Sequence, residues 1–137
     1  CSDQTVTIPI GDVKGKFFEV YNVVRNAQRA AILSAVPGAT LGAVDLAARG
    51  VIESAGFGDY FGHATGHGIG IEVHELPVVA PKAPGVVKEG MTFTIEPGIY
   101  IPGEVGVRLE DVVYINNDGN ELITRIDKDF GASLQHL

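Results

Sequence analysis

The spacing of apolar residues changes once along this chain, across a glycine-rich stretch from Gly56 to Gly70. Before it, Phe17, Val20, Tyr21, Val24, Ala27 and Ala31 recur every three or four residues, which predicts a long helix from about Val13 to Val36 with one buried face, stopped by Pro37-Gly38. Thr40 then suits the N-cap of a second helix, with Leu41, Val44, Ala48, Val51 and Ile52 as its buried stripe and Gly56 as its end. After the glycines the period becomes two. Strands are expected near residues 68 to 75, 91 to 101 and 105 to 116, and Asn117-Asp118-Gly119 turns the chain into a short last strand. Residues 1 to 10 read as the end of a strand closed by Pro9 and Gly11, and the stretch from Pro77 to Gly90 as a surface loop. Helices first and strands second make an α+β domain.

A chain of 137 residues can bury a single core, so one domain is expected. It starts at Cys1, its only methionine is Met91 and no leader precedes Ser2, so the expectation is a piece of a longer protein. A net charge of -7 argues against nucleic acid or an anionic membrane as partner, because phosphates are bound by clustered Lys and Arg. No apolar run approaches the roughly 20 residues that span a bilayer. The single cysteine forms no internal disulfide, which suits a cytoplasmic location, and with no paired base Cys1 reads as an ordinary residue rather than a nucleophile.

The chemistry is concentrated in the strand-rich half. A hairpin turned about Gly103 sets Glu96 opposite Glu110. Alternation then places Thr94 and Glu96 on one side, with Arg108 and Glu110 likewise, while Phe93, Ile95, Val107 and Leu109 face the core. Opposed carboxylates repel unless a cation lies between them. His67 and His74, seven residues apart, would point to opposite faces of a regular strand, and glycines 66, 68 and 70 make a helix costly at about 1 kcal/mol each. A bend or bulge at a glycine is the remaining way to aim both at one cavity. His63 and His67 have the His-x-x-x-His spacing of helical zinc sites but lack its glutamate and its helix formers, so that motif is rejected. Imidazole mixed with carboxylates points to Mn, Co, Fe or Zn in a hydrolytic role rather than to structural zinc.

Three segments, GHGIGIEVHE, FTIEPGIYI and VGVRLEDVVYI, resemble the pita-bread metallopeptidases, specifically the Xaa-Pro dipeptidase and Xaa-Pro aminopeptidase branch. The opening CSDQTVT is similar to the family's strand with its second metal-binding aspartate, with Val6 where an arginine is usual. The resemblance implies a pita-bread α+β fold truncated on its N-terminal side, residues 1 to 137 forming one partial catalytic domain. It implies two divalent ions, Mn or Co before Zn or Fe, bridged by Asp3 and Glu110, with His67 and Glu96 completing the coordination of one of them. A hydroxide held between the ions would hydrolyse the bond before proline in short peptides. His74 would stabilise the oxyanion or the leaving nitrogen, His63 would line the pocket, and Arg108 would orient a carboxylate. The family's first aspartate, eleven residues before its second, would fall upstream of Cys1, so the isolated chain is expected to be nearly inactive and its parent a homodimeric dipeptidase. The alternatives are an aminopeptidase acting on longer peptides, a non-catalytic binding protein on the same scaffold, and a metal-free relative resembling creatinase, which would have lost the carboxylate ligands kept here.

Overall fold

The computed structural model describes residues 1–13 and 15–128. Two helices lead: α1 (Lys16–Ser34) and α2 (Leu41–Ser54), the second capped by the Thr40 side chain, which accepts from the Ala43 N–H. The N-terminal turn expected to open the first helix lies outside it, since Gly11 and Gly15 adopt positive φ there. A short 3-10 turn (Gly58–Tyr60) follows, then β1 (Gly66–Gly68), β2 (Glu75–Val79), β3 (Thr92–Ile95), β4 (Gly98–Ile101), β5 (Val105–Arg108), β6 (Asp111–Asn116) and β7 (Gly119–Leu122). The five-stranded sheet runs β2-β1-β3-β6-β7 and a separate pair holds β4 and β5. Among the described residues no helix is long and apolar enough to cross a membrane.

The hairpin expected about Gly103 is present, with one register carried through both sheets. Ile101 faces Val105 and Gly98 faces Arg108 in the β4–β5 pair; Ile95 faces Asp111 and Thr92 faces Tyr114 in the β3–β6 pair. Gly103, at φ 76, supplies the left-handed residue that a three-residue hairpin loop requires. The two long strands expected from the sequence are each broken once, at Glu96-Pro97 and at Leu109-Glu110, because Pro97 has no N–H to continue a ladder. Phe93, Ile95, Val107 and Leu109 are fully buried as the alternation predicted, and together with Val20, Val24, Val44 and Ile52 of the helices they form the core. Burying side chains of that size contributes about 1.5–3 kcal/mol each.

Three expectations are corrected. Residues 68 to 75 are not a strand: β1 ends at Gly68, the backbone bends through Ile69–His74, and β2 returns antiparallel beside β1. The Gly70 N–H bonds the Glu72 carbonyl and the Glu72 N–H bonds the Glu75 carboxylate, so the alternating Ile-Glu-Val belongs to a loop whose Ile71 is 95% exposed. Pro77 to Gly90 is not all loop, since β2 includes Pro77–Val79; a proline is tolerated there because β2 is an edge strand. Residues 1 to 10 run extended without joining a ladder. They are tied to the β5–β6 break by the Glu110 N–H on the Thr5 carbonyl and by Thr7, whose hydroxyl donates to the Arg108 carbonyl and accepts from the Arg108 N–H.

Candidate metal centre

Glu96 and Glu110 sit where the hairpin passes from one sheet to the other, at a non-hydrogen-bonded pair, so their N–H groups point outward and bond to the flanking segments. The Glu96 N–H donates to the Thr65 carbonyl (2.7 Å), two residues before His67; the Glu110 N–H donates to the Thr5 carbonyl (2.9 Å), two residues beyond Asp3. Four chain segments that carry acidic or imidazole side chains are thereby stitched together at one place. Ligand atoms of Asp3, His67 and Glu110 lie within 4.8 Å of one another. The His67 Nε2 is 3.2 Å from the Glu96 Oε1 and 3.7 Å from the Asp3 Oδ2.

The local geometry of His67 comes from a β-bulge. Pairing between β1 and β2 slips between His67 and Gly68, which turns the imidazole toward the carboxylates. Gly66 and Gly68 permit it, for a Cβ on Gly66 would lie 1.8 Å from the Thr94 carbonyl oxygen and one on Gly68 2.2 Å from that of Leu76. The His67 Nδ1 faces the Gly68 carbonyl at 3.0 Å, which places the ring proton on Nδ1 and leaves the Nε2 lone pair for a cation. His74 lies in the exposed bend, yet its ring centroid is 4.3 Å from that of His67, so both histidines do reach one site.

Glu110 is only 2% exposed, and burial pushes its carboxyl above the ordinary range. The Thr5 hydroxyl, hydrogen-bonded to it, works against that rise, the charges of Glu96 and Asp3 add to it, and Arg108 lowers it. A buried carboxylate held among two more, beside an imidazole nitrogen with its lone pair presented, is a donor set that fits divalent ions of the Mn, Co or Zn kind.

The surrounding hydrogen bonds show residues that sequence reasoning left out. The Thr94 hydroxyl donates to the Glu96 Oε1 (3.1 Å) and accepts from the His67 N–H (3.0 Å), coupling two ligands through one side chain. Thr5 couples Glu110 to Arg108, whose Nε donates to the Thr5 hydroxyl at 3.1 Å. Arg108 therefore touches the carboxylate site through Thr5. Behind the site, buried Asp111 accepts from Gln4, Gln28, Thr124 and Lys128, which anchors the segment carrying Asp3 to α1 and to the chain beyond β7. The alternation that puts Thr5 on the side of Asp3, and Thr94 on the side of Glu96, was the available signal for both threonines.

His63 stands apart from the ligands, against Tyr100. Its Nδ1 faces the Ala64 carbonyl (2.8 Å) and its Nε2 the Tyr100 hydroxyl (3.0 Å), so Nδ1 carries the proton and the tyrosine donates to Nε2. Burial raises the Tyr100 hydroxyl above its ordinary pKa, although Arg108 opposes the shift. Tyr100, four residues after Glu96 on β4, is a further site residue that the sequence reading passed over.

Known proteins resemble this chain in sequence and fold. An Xaa-Pro dipeptidase of Lactobacillus delbrueckii subsp. lactis is 48% identical over 128 residues, 93% of this chain and 35% of that protein. Among solved structures, the Xaa-Pro dipeptidase from Bacillus anthracis superposes with a TM-score of 0.92 at 46% identity, over 94% of this chain and 36% of that one. The X-Pro aminopeptidase from Thermotoga maritima MSB8 gives 0.90 at 38% identity, over 94% of this chain and 37% of the other. The chain thus spans about a third of the length of these relatives, and over that span its α+β architecture is the pita-bread fold they share. Residues 1–117 match metallopeptidase family M24, and the chain belongs to that family.

Proposed function

We propose that this chain supplies most of the metal centre of an Xaa-Pro dipeptidase, with Asp3, His67, Glu96 and Glu110 as ligands. The convergence of Asp3, His67 and Glu110 within 4.8 Å, with Glu96 against His67, carries this reading. Bound divalent ions, Mn or Co foremost, supply Lewis acidity toward the scissile carbonyl and ease the deprotonation of water. The chain's own groups do the remaining work. His74, on the exposed bend beside His67, donates to the oxygen that gains charge or to the departing nitrogen. His63 with Tyr100 lines the substrate side, and Arg108 holds Glu110 in place through Thr5 while its exposed face meets the substrate carboxylate. A bond to proline lacks an N–H and has a restricted φ, so a pocket dedicated to it is chemically reasonable.

Four donors suffice for one ion, and the second needs a further carboxylate, which we assign to the part of the relatives' length that this chain does not span. The reading therefore includes near-inactivity of these 137 residues alone and a homodimeric, cytoplasmic parent. An aminopeptidase acting on longer peptides is the second reading, favoured by the likeness to the Thermotoga enzyme; comparing Xaa-Pro with Xaa-Pro-Yaa hydrolysis separates the two. A non-catalytic binding protein is disfavoured because all four donors are kept.

Native mass spectrometry with Mn(II) or Co(II) tests the reading. One ion on this chain, rising to two on a version extended upstream that also cleaves Xaa-Pro dipeptides, is the expected result. No metal on either form would sink it in favour of a binding protein, and hydrolysis by the 137-residue chain alone would remove the need for the extra carboxylate.

A further inference from the structure

One buried ion pair takes no part in the metal centre. Asp45 and Arg49 lie one turn apart on α2, Asp45 fully buried and the Arg49 side chain 15% exposed. The guanidinium grips the carboxylate twice, Nε to Oδ2 at 2.8 Å and Nη2 to Oδ1 at 2.9 Å. Its other donor directions leave the helix: Nη1 donates to the Phe61 carbonyl and Nη2 to the His63 carbonyl, each at 3.0 Å. The Thr65 hydroxyl donates to the Asp45 Oδ1 at 2.7 Å. The guanidinium also stacks 4.2 Å over the Phe61 ring, and that ring meets the His63 imidazole edge-on at 5.0 Å. Residues 61, 63 and 65 are thus all attached to one pair of side chains.

Such a pair is a poor device for stability alone, since apolar side chains of similar volume do as well in a buried position. What an apolar pair cannot do is hold two carbonyls and a hydroxyl at fixed points. The planar guanidinium holds the two carbonyls because its donors form a rigid fork, which lysine lacks, and the Asp45 carboxylate it fixes accepts from the hydroxyl.

We propose that Asp45 and Arg49 are positioning residues that fix the 61–65 segment so that His63 presents its Nε2 to Tyr100 in a single tautomer. The segment is continuous with the metal centre through the Thr65 carbonyl, which receives the Glu96 N–H. The catalytic consequence rests on the dipeptidase reading; the structural claim does not, and it is tested on the metal-free chain.

The test is ring 15N spectroscopy of the chain labelled at histidine, at a pH where the imidazoles are neutral, with His63 assigned by His63→Gln. Wild type is expected to show His63 with its proton on Nδ1 only and a slowly exchanging Arg49 Nε–H. Arg49→Lys keeps the charge and loses the fork; Asp45→Leu combined with Arg49→Met removes both charges together. In either variant that folds, the His63 nitrogens are expected to move to the averaged shifts of two tautomers, with lysine giving no rescue. Retention of the single Nδ1–H form in a folded variant would overturn the proposal and leave the pair as a structural tie. So would a wild-type Arg49 Nε–H in fast exchange with water, or a wild-type His63 already averaged, neither of which needs a variant to fold. Metal stoichiometry is read separately, so failure of the metallopeptidase reading would not be mistaken for failure of this one.

Discussion

Adding one methyl group at Gly66 should damage the metal centre without touching any ligand. The Cβ of an alanine there would fall 1.8 Å from the Thr94 carbonyl oxygen and 2.7 Å from its carbon, against a floor of 3.0 Å for real contacts, so β1 and β3 must separate by more than an ångström. Neither neighbour is a flexible side-chain end that could step aside. Separation on that scale breaks the bond from the His67 N–H to the Thr94 hydroxyl, now 3.0 Å, and carries the imidazole away from Glu96. Overpacking costs about 1–3 kcal/mol. The lost hydrogen bond adds about 1 kcal/mol. The sum, about 2–4 kcal/mol, corresponds to a fall in Tm of roughly 8–15 °C for a domain of this size. Metal affinity should fall further than a change beyond the ligands would cause, by about 100-fold or more.

Gly62→Ala is the matched control. It lies in the same glycine-rich stretch, has ordinary φ, and its added Cβ would meet nothing within 4 Å, so it should shift stability by less than about 0.5 kcal/mol. Thermal unfolding with and without Mn(II), and Co(II) titration, would compare the two. A Gly66→Ala chain with wild-type Tm and wild-type metal affinity would refute the close-approach account of this glycine.

Three further outcomes follow from the hydrogen bonds and charges at the site. Thr94→Val keeps the shape and removes the hydroxyl shared by His67 and Glu96; Co(II) affinity is expected to drop about 10- to 100-fold, and an unchanged isotherm would remove Thr94 from the ligand scaffold. Glu110→Gln tests the carboxyl pushed up by burial. A raised carboxyl means that the folded metal-free chain binds its proton more tightly than the unfolded chain does, so its contribution to stability declines as pH rises from the unfolded value through the folded one. With a chelator present, the Tm of wild type should therefore fall relative to Glu110→Gln between acid and neutral pH, and parallel curves would contradict the shift. Gln28→Leu removes donors to the Ile95 carbonyl and to Asp111 from a buried position; a loss of about 1–3 kcal/mol in denaturant unfolding is expected, and a neutral result would show that Asp111 is satisfied without α1.

How far the site could be read from the chain depends on whether side chains or backbone define each part. The hairpin register was legible because alternation and Gly103 together leave one pairing that buries Phe93, Ile95, Val107 and Leu109. The same rule misled at 68 to 75, where Ile, Glu, Val and His alternate as a strand would. Gly68 and Gly70 just before that run allow a bend there instead, and period two has no term for a backbone that leaves the sheet. Asp45 and Arg49 carry the spacing of a helical ion pair, yet apart from the Thr65 hydroxyl their hydrogen-bond partners outside the pair are carbonyls of residues 61 and 63, and a carbonyl has no signature in the sequence.

The break in the hairpin brings these parts together. Glu96 and Glu110 oppose one another at a non-hydrogen-bonded position of the hairpin, since the Leu109 N–H bonds the Pro97 carbonyl and the Ile115 N–H the Met91 carbonyl, so the glutamates' own N–H groups point outward from it. Pro97 interrupts the first strand, the partner breaks opposite it, and beside that break the two outward N–H groups reach Thr65 and Thr5. Those bonds secure the segments that carry His67 and Asp3 beside the glutamates, adding to the β1–β3 pairing on one side and to the Thr7–Arg108 bonds on the other. The four donors thus meet at the one place along the hairpin where the ladder is interrupted. Three carboxylates brought together at that place, flanked by the fully buried Ile95, Ile99, Val107 and Leu109, repel one another unless a cation lies between them.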